Sequence, residues 1–101
     1  MDPFHLTEDA IFDLDAIWLY QLDKNGLNGA DETVTNLFKV FYRLARLPNI
    51  GHRRPDLTSR PVLFYKVFSY LIIYATGVGP LGILGVLHGK RDVAHILRRR
   101  Q

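Results

Sequence analysis

The residues of this chain best equipped for chemistry are its cations. His52-Arg53-Arg54 and Arg60 crowd one short stretch; His88, Lys90 and Arg91, then Arg98-Arg99-Arg100, crowd the end of the sequence. Guanidinium and ammonium groups at that density hold phosphates or acidic side chains through charge-assisted hydrogen bonds. Neither cluster alternates with aromatics as a single-strand stacking platform does, so an anionic partner is expected but direct nucleic-acid binding by the chain alone is not. Other chemistries find less support. There is no cysteine, hence no thiol nucleophile, disulfide framework or thiolate metal site. His5, His52, His88 and His95 are scattered without a metal-pair spacing or an accompanying carboxylate cluster, so no metal and no cofactor is expected. His88 and His95 share a face if the tail is helical, although a surface role is simpler. Ser59 lies in the basic stretch and Ser69 in an apolar one, which is poor ground for an acyl-transfer triad.

Gly77-Val78-Gly79-Pro80-Leu81-Gly82 spells the dinucleotide-binding pattern G-x-G-x-x-G. That chemistry needs a helix opening at the glycines, with its free amides aimed at a pyrophosphate. An apolar strand-like run follows instead, and the match is a decoy.

The elements that would hold these groups follow from periodicity. Phe4-His5-Leu6 is short enough for an edge strand. Thr7 is a good N-cap, with Glu8 and Asp9 in the first turn beside the helix dipole. Ile11, Leu14, Ile17, Trp18 and Leu22 recur at helical spacing as far as Asn25-Gly26, a stop signal. Asp9, Asp13 and Asp15 then form the wet face of this helix, with Trp18 in the core. A second helix is predicted from about Asp31 to Leu47, striped by Val34, Leu37, Phe38, Phe41 and Leu44 and closed by Pro48. The two read as a helical hairpin. Residues 48–61 are a polar, turn-rich loop. Three runs rich in β-branched and aromatic residues follow, 62–67, 69–76 and 82–87, as in an antiparallel meander.

The run from Phe68 to Leu87 is also twenty residues without a charge, the length of a membrane span. Gly77, Gly79, Pro80, Gly82 and Gly85 crowd its second half, and Thr76 to Pro80 has the composition of a hairpin turn, so no membrane association is expected. At 101 residues with 48% hydrophobic content, the chain is read as one domain, 1–101, able to bury a single core. The start lacks the basic-then-apolar order of a secretory signal, and the absence of cysteine fits a reducing cytoplasm. The net charge of +3 hides a polarity: residues 1–32 hold eight acids against Lys24, while the remainder holds twelve bases against Asp56 and Asp92. An acidic partner on the C-terminal face fits this distribution.

Several strings resemble the ParE branch of the RelE/ParE toxin superfamily: Leu44-Ala45-Arg46-Leu47-Pro48-Asn49-Ile50-Gly51, Tyr70-Leu71-Ile72-Ile73-Tyr74, and above all Val86-Leu87-His88-Gly89-Lys90-Arg91-Asp92. Asp13-Leu14-Asp15-Ala16-Ile17-Trp18 is similar to the family's first helix, and the likeness spans nearly the whole chain. It implies an α+β fold in which an N-terminal helical hairpin packs on a small curved antiparallel sheet, followed by a short C-terminal helix or tail. It also implies the toxin half of a type II toxin–antitoxin pair, neutralised by an antitoxin that folds along it. ParE-like members are associated with poisoning DNA gyrase, and RelE-like members cleave mRNA on the ribosome.

Matched strand by strand, the lysines of a RelE-like nuclease fall at Val62 and Phe64, its arginines at Leu71 and Arg91, and its tyrosine near Leu97. Cleavage of RNA needs groups that align the 2′-hydroxyl, move its proton and stabilise the phosphate. Arg91 alone does not supply all three, although Lys66, Lys90 and His88 are possible substitutes. The expectation is therefore a toxin that acts by binding. His88, Lys90, Arg91, Arg98, Arg99 and Arg100 would contact the target. The apolar strip of Val62 and Phe64 would dock an amphipathic antitoxin helix, with Arg53, Arg54, Arg60 and Arg91 pairing with its acids. If the chain is instead a nuclease, Arg91, Lys90 and His88 would be its catalytic residues.

Overall fold

A computed structural model of the protein describes residues 2–77 and 79–100. In chain order its elements are β1 (Phe4–Leu6), α1 (Glu8–Arg46), β2 (Leu63–Val67), β3 (Tyr70–Ala75), β4 (Leu81–His88) and α2 (Val93–Arg99). Helix α1 is two arms broken at Gly26, whose φ of 75° and ψ of −178° no helix contains. The arms fold back on each other: Trp18 Nε1 donates to Asp31 Oδ1 at 2.9 Å, whereas thirteen residues of straight helix would separate them by about 20 Å. This is the expected hairpin, tighter than expected, because the second arm is helical from residue 27 rather than from Asp31. Trp18 is only half-buried, with its indole N–H at the arm–arm seam.

The sheet order is β1-β4-β3-β2. Strands β2, β3 and β4 form the expected antiparallel meander, with Tyr65 opposite Ile72 and Ile72 opposite Val86. The expectation of a wholly antiparallel sheet needs one correction: β1 pairs parallel with β4, so the sheet is mixed. Three residues of strand propensity carry no direction; α1 returns the chain to the meander, and the partner strand sets the sense. The turn between β3 and β4 includes Val78, which lies outside the described residues.

Helices cover both faces. On one face Leu14, Ile17, Leu37, Phe41 and Leu44 of α1 pack over Ile72, Tyr74, Ile83 and Val86. On the other, Val93 and Leu97 of α2 pack over Val62, Phe64, Ile73 and Leu87. Neighbours such as Ile72 and Ile73, or Val86 and Leu87, point to opposite sides and are buried all the same. Strands buried on both faces read as continuous apolar runs rather than alternating ones. That accounts for the uncharged run of Phe68 to Leu87; among the described residues no helix is long and apolar enough to cross a membrane.

Strand β1 covers only the first part of β4, and beyond it β4 has an open edge. Thr7 meets its start: the Thr7 hydroxyl donates toward the Ile83 and Leu84 carbonyls at 3.2 and 3.1 Å while accepting from Ala10 N–H as the cap of α1. Asp13 meets the next position, accepting the Val86 N–H at 3.0 Å. On the far side, Tyr74 anchors the 48–61 loop by donating to the Pro48 carbonyl and accepting from Gly51 N–H, both at 2.9 Å. His52 then exchanges backbone hydrogen bonds with Phe64 and shields part of the β2 edge.

Candidate functional site

The basic groups gather where β4 ends. Its last residue, His88, stands edge-on to Tyr70 with ring centroids 5.6 Å apart. The turn that follows is closely held. Gly89 N–H donates to the Ser69 carbonyl at 2.8 Å, and Arg91 N–H to the His88 carbonyl at 3.0 Å. Lys90 N–H donates to His88 Nδ1 at 3.1 Å, so in the neutral ring Nε2 carries the hydrogen and points a donor outward. Asp92 closes the turn as the N-cap of α2, accepting from His95 N–H at 3.2 Å. Lys90 and Arg91 are exposed, and neither has a carboxylate within salt-bridge distance among the described residues.

Among the hollows that adjoin this rim, two reach Arg91. One, of about 370 Å³, lies on the α1 side between Ile17, Tyr20, Tyr70, Val86, His88 and Arg91. The other, of about 200 Å³, lies on the α2 side and is lined by Arg54, Lys66, Ser69 and Arg91 among others. Arg91 borders both. The fold thus joins part of the two sequence clusters, bringing Arg54 from the loop to Arg91 from the strand end. Arg53 and Arg60 do not line either hollow. Lys66 emerges as a member of the basic cleft, whereas its sequence context marked it only as a possible nuclease substitute. Alternation along β2 was the available signal, because Lys66 is the one charged residue of that strand. Arg54 is set by Asp56, which accepts from its Nε at 2.9 Å and its Nη2 at 2.8 Å. The pair raises the arginine pKa and lowers that of the aspartate, in both cases chiefly through this hydrogen bonding.

Three expectations about site residues change. Arg100 is not a free target-binding cation. Its Nη1 and Nη2 donate to Asp13 Oδ2 and Oδ1 at 2.8 and 2.7 Å, with Asp9 at 3.9 Å. These bonds raise its pKa against the opposing pull of burial. Asp13 is not on the wet face of α1 but 3% exposed beneath the sheet edge. It sits three residues after Ala10 and four before Ile17, both buried, so helical spacing alone marks it as inward-facing. Gly85 makes room for the pair: a Cβ there would stand 3.2 Å from both Arg100 Nη1 and Asp13 Oδ2. Val62 and Phe64, expected as an open docking strip, are 4% and 3% exposed because α2 lies over them. Arg98 and Arg99 remain exposed on α2. Among the described residues no group of three His, Cys, Asp or Glu side chains could hold a metal ion.

A family model described as the ParE toxin of type II toxin–antitoxin system, parDE, matches residues 4–93. Among solved structures, a chromosomal ParDE TA system from P. aeruginosa is similar with a TM-score of 0.71 and 22% identity. The match covers 84% of this chain and 92% of that chain, and at this identity it speaks to the fold. A comparison with curated proteins gives no match.

Proposed function

The chain belongs to the ParE toxin family of type II toxin–antitoxin systems, and from that premise we propose that it inhibits DNA gyrase by binding, until a cognate antitoxin neutralises it. One observation carries the choice of binding over catalysis. The positions that would hold a RelE-type nuclease's lysines, first arginine and tyrosine are Val62, Phe64, Leu71 and Leu97, and these belong to or pack against the apolar cluster between α2 and the sheet. None of these four apolar side chains can move a proton or stabilise charge on a scissile phosphate. Arg91 alone stays on the surface, with Lys90 and His88 as neighbours.

Target contact is assigned to the exposed rim of His88, Lys90 and Arg91 and to Arg98 and Arg99. Arg100 serves it indirectly by holding α2 in place. Antitoxin contact is assigned to Arg53, Arg54, Arg60 and Arg91, where charge favours the acids of an amphipathic segment. Val62 and Phe64 contribute from below, as part of the cluster against which the half-buried Leu57 and Leu71 pack. A gyrase target implies that the protein acts in the cytoplasm.

The test is plasmid supercoiling by gyrase with the purified protein, read beside the integrity of mRNA translated in its presence. Supercoiling should be inhibited and mRNA should stay intact, with Arg91→Ala and Lys90→Ala each weakening inhibition about tenfold, the scale of one charge-assisted hydrogen bond. Unimpaired supercoiling with cleaved mRNA would establish the nuclease instead.

A further inference from the structure

The cleft on the α2 side places three cations from three separate elements around a hollow of about 200 Å³: Arg54 from the loop, Lys66 from β2 and Arg91 from the turn after β4. We infer that this cleft is a binding site for a phosphate monoester group. The inference does not rest on the gyrase reading and survives its failure.

Charge points to a dianion. Asp56, which does not line the hollow, engages Arg54 through Nε and Nη2, leaving Nη1 of that guanidinium without a carboxylate. Asp92 is committed to capping α2. Lys66 and Arg91 have no carboxylate partner among the described residues. The residues that line the hollow include three cations and no carboxylate, and that excess of positive charge matches a phosphate monoester better than a carboxylate. Held together without a ligand, these groups repel one another across Leu71 and Val93, apolar walls that screen less than water does.

The cleft is also built in advance. The Ser69 carbonyl accepts from Gly89 N–H at 2.8 Å, which ties the β2–β3 turn to the turn that carries Arg91. The Arg54 carbonyl accepts from Leu57 and Thr58 N–H at 2.9 and 3.1 Å, which fixes the loop beneath its side chain. Lys66 lies within the paired part of β2, opposite Leu71. With the backbone beneath each cation held in place, the ordering left to binding is that of the side chains themselves. Ser69 lines the same space, and a serine hydroxyl can act as a further donor. With liquid water at about 30 Å³ per molecule, the hollow has room for a phosphate group and the start of its ester.

The experiment is titration of the full-length protein with inorganic phosphate, adenosine monophosphate and glutamate at constant ionic strength, followed by amide chemical shifts. Saturable binding of phosphate and the nucleotide in the millimolar range or tighter is expected, with shifts centred on Lys66, Ser69 and Arg91. Nucleotide binding should strengthen as pH rises through about 6, where the ester loses its second proton. Lys66→Gln and Arg91→Gln should each weaken it about tenfold, while Lys39→Gln on the second arm of α1 should not. Tighter binding of the nucleotide than of phosphate assigns the apolar walls to its sugar or base; equal binding assigns the phosphate group alone, and either supports the site. Glutamate binding as tightly as the nucleotide would overturn it, as would no saturable binding. Unchanged affinity in both cleft variants would mean an adventitious ion only, and would overturn it too. Both replaced side chains are exposed, and thermal melts of the variants verify that they fold.

Discussion

Replacing Arg100 should loosen the C-terminal helix before anything else. The Asp13 carboxylate is 3% exposed and is neutralised by a bidentate guanidinium whose own side chain is 17% exposed. Removing one partner of a fully buried pair costs about 3–5 kcal/mol, because the other charge stays uncompensated. Here water reaches the arginine end, and Asp13 keeps its bond from Val86 N–H, so Arg100→Met is expected to cost about 2–3 kcal/mol, below that range. Asp13→Leu should cost a similar amount for another reason: it strands the Val86 N–H, a buried donor worth roughly 1–3 kcal/mol, while the released arginine returns to solvent. The double variant should then recover part of the loss, with a coupling of about 1–2 kcal/mol. Urea denaturation measures all three, and an unchanged slope against urea shows that the native state still buries the same surface. Helix α2 has seven residues, too few to persist unpacked, so its amides should exchange faster in Arg100→Met than those of β3. A loss under about 0.5 kcal/mol, the ordinary scale of a surface substitution, together with unchanged exchange in α2 would refute the assignment of Arg100 to the fold and return it to the target-binding surface.

Two further outcomes follow from single residues. Burial raises the Tyr74 pKa above its ordinary value of 10, so above about pH 10 the unfolded chain loses this proton more readily than the native one. The stability it supports is whole below that pH and falls as pH rises toward the folded value. Tyr74→Phe should cost about 1–3 kcal/mol at neutral pH through the lost bonds to Pro48 and Gly51, and its alkaline melting curve should fall less steeply than the parent's; parallel curves would refute the reasoning. Gly26→Ala meets no atom within 4 Å but adopts backbone angles open essentially to glycine alone, so denaturation should show a loss of about 1–3 kcal/mol from backbone strain. A wild-type midpoint would sink the claim that this torsion makes the hairpin.

Local signals in the sequence were sufficient for the parts of the fold that local interactions control. Thr7 caps a helix, Asn25-Gly26 interrupts it, and Pro48 follows its end, because caps, positive φ angles and missing amide donors act within a few residues. The meander was equally legible from its β-branched runs and turns. The His88 to Asp92 turn likewise lies where the end of an apolar run placed it. The parallel sense of β1 was not legible, since three residues take their direction from a strand nearly eighty positions away. Asp13 was half-legible: its spacing faces the core, but only the open edge of β4 and the guanidinium of Arg100 explain why a carboxylate belongs there. The same holds for Val62 and Phe64, whose alternation announced a buried face without naming its cover. Val93 and Leu97, four residues apart on a basic tail, were the matching half of that interface. The sequence by itself determined the kinds of element, the two basic clusters and the family. Tertiary structure decided which cations were free, because whether a charge is paired depends on partners brought together across the whole chain, and only folding brings Arg100 to Asp13 and Arg54 to Arg91.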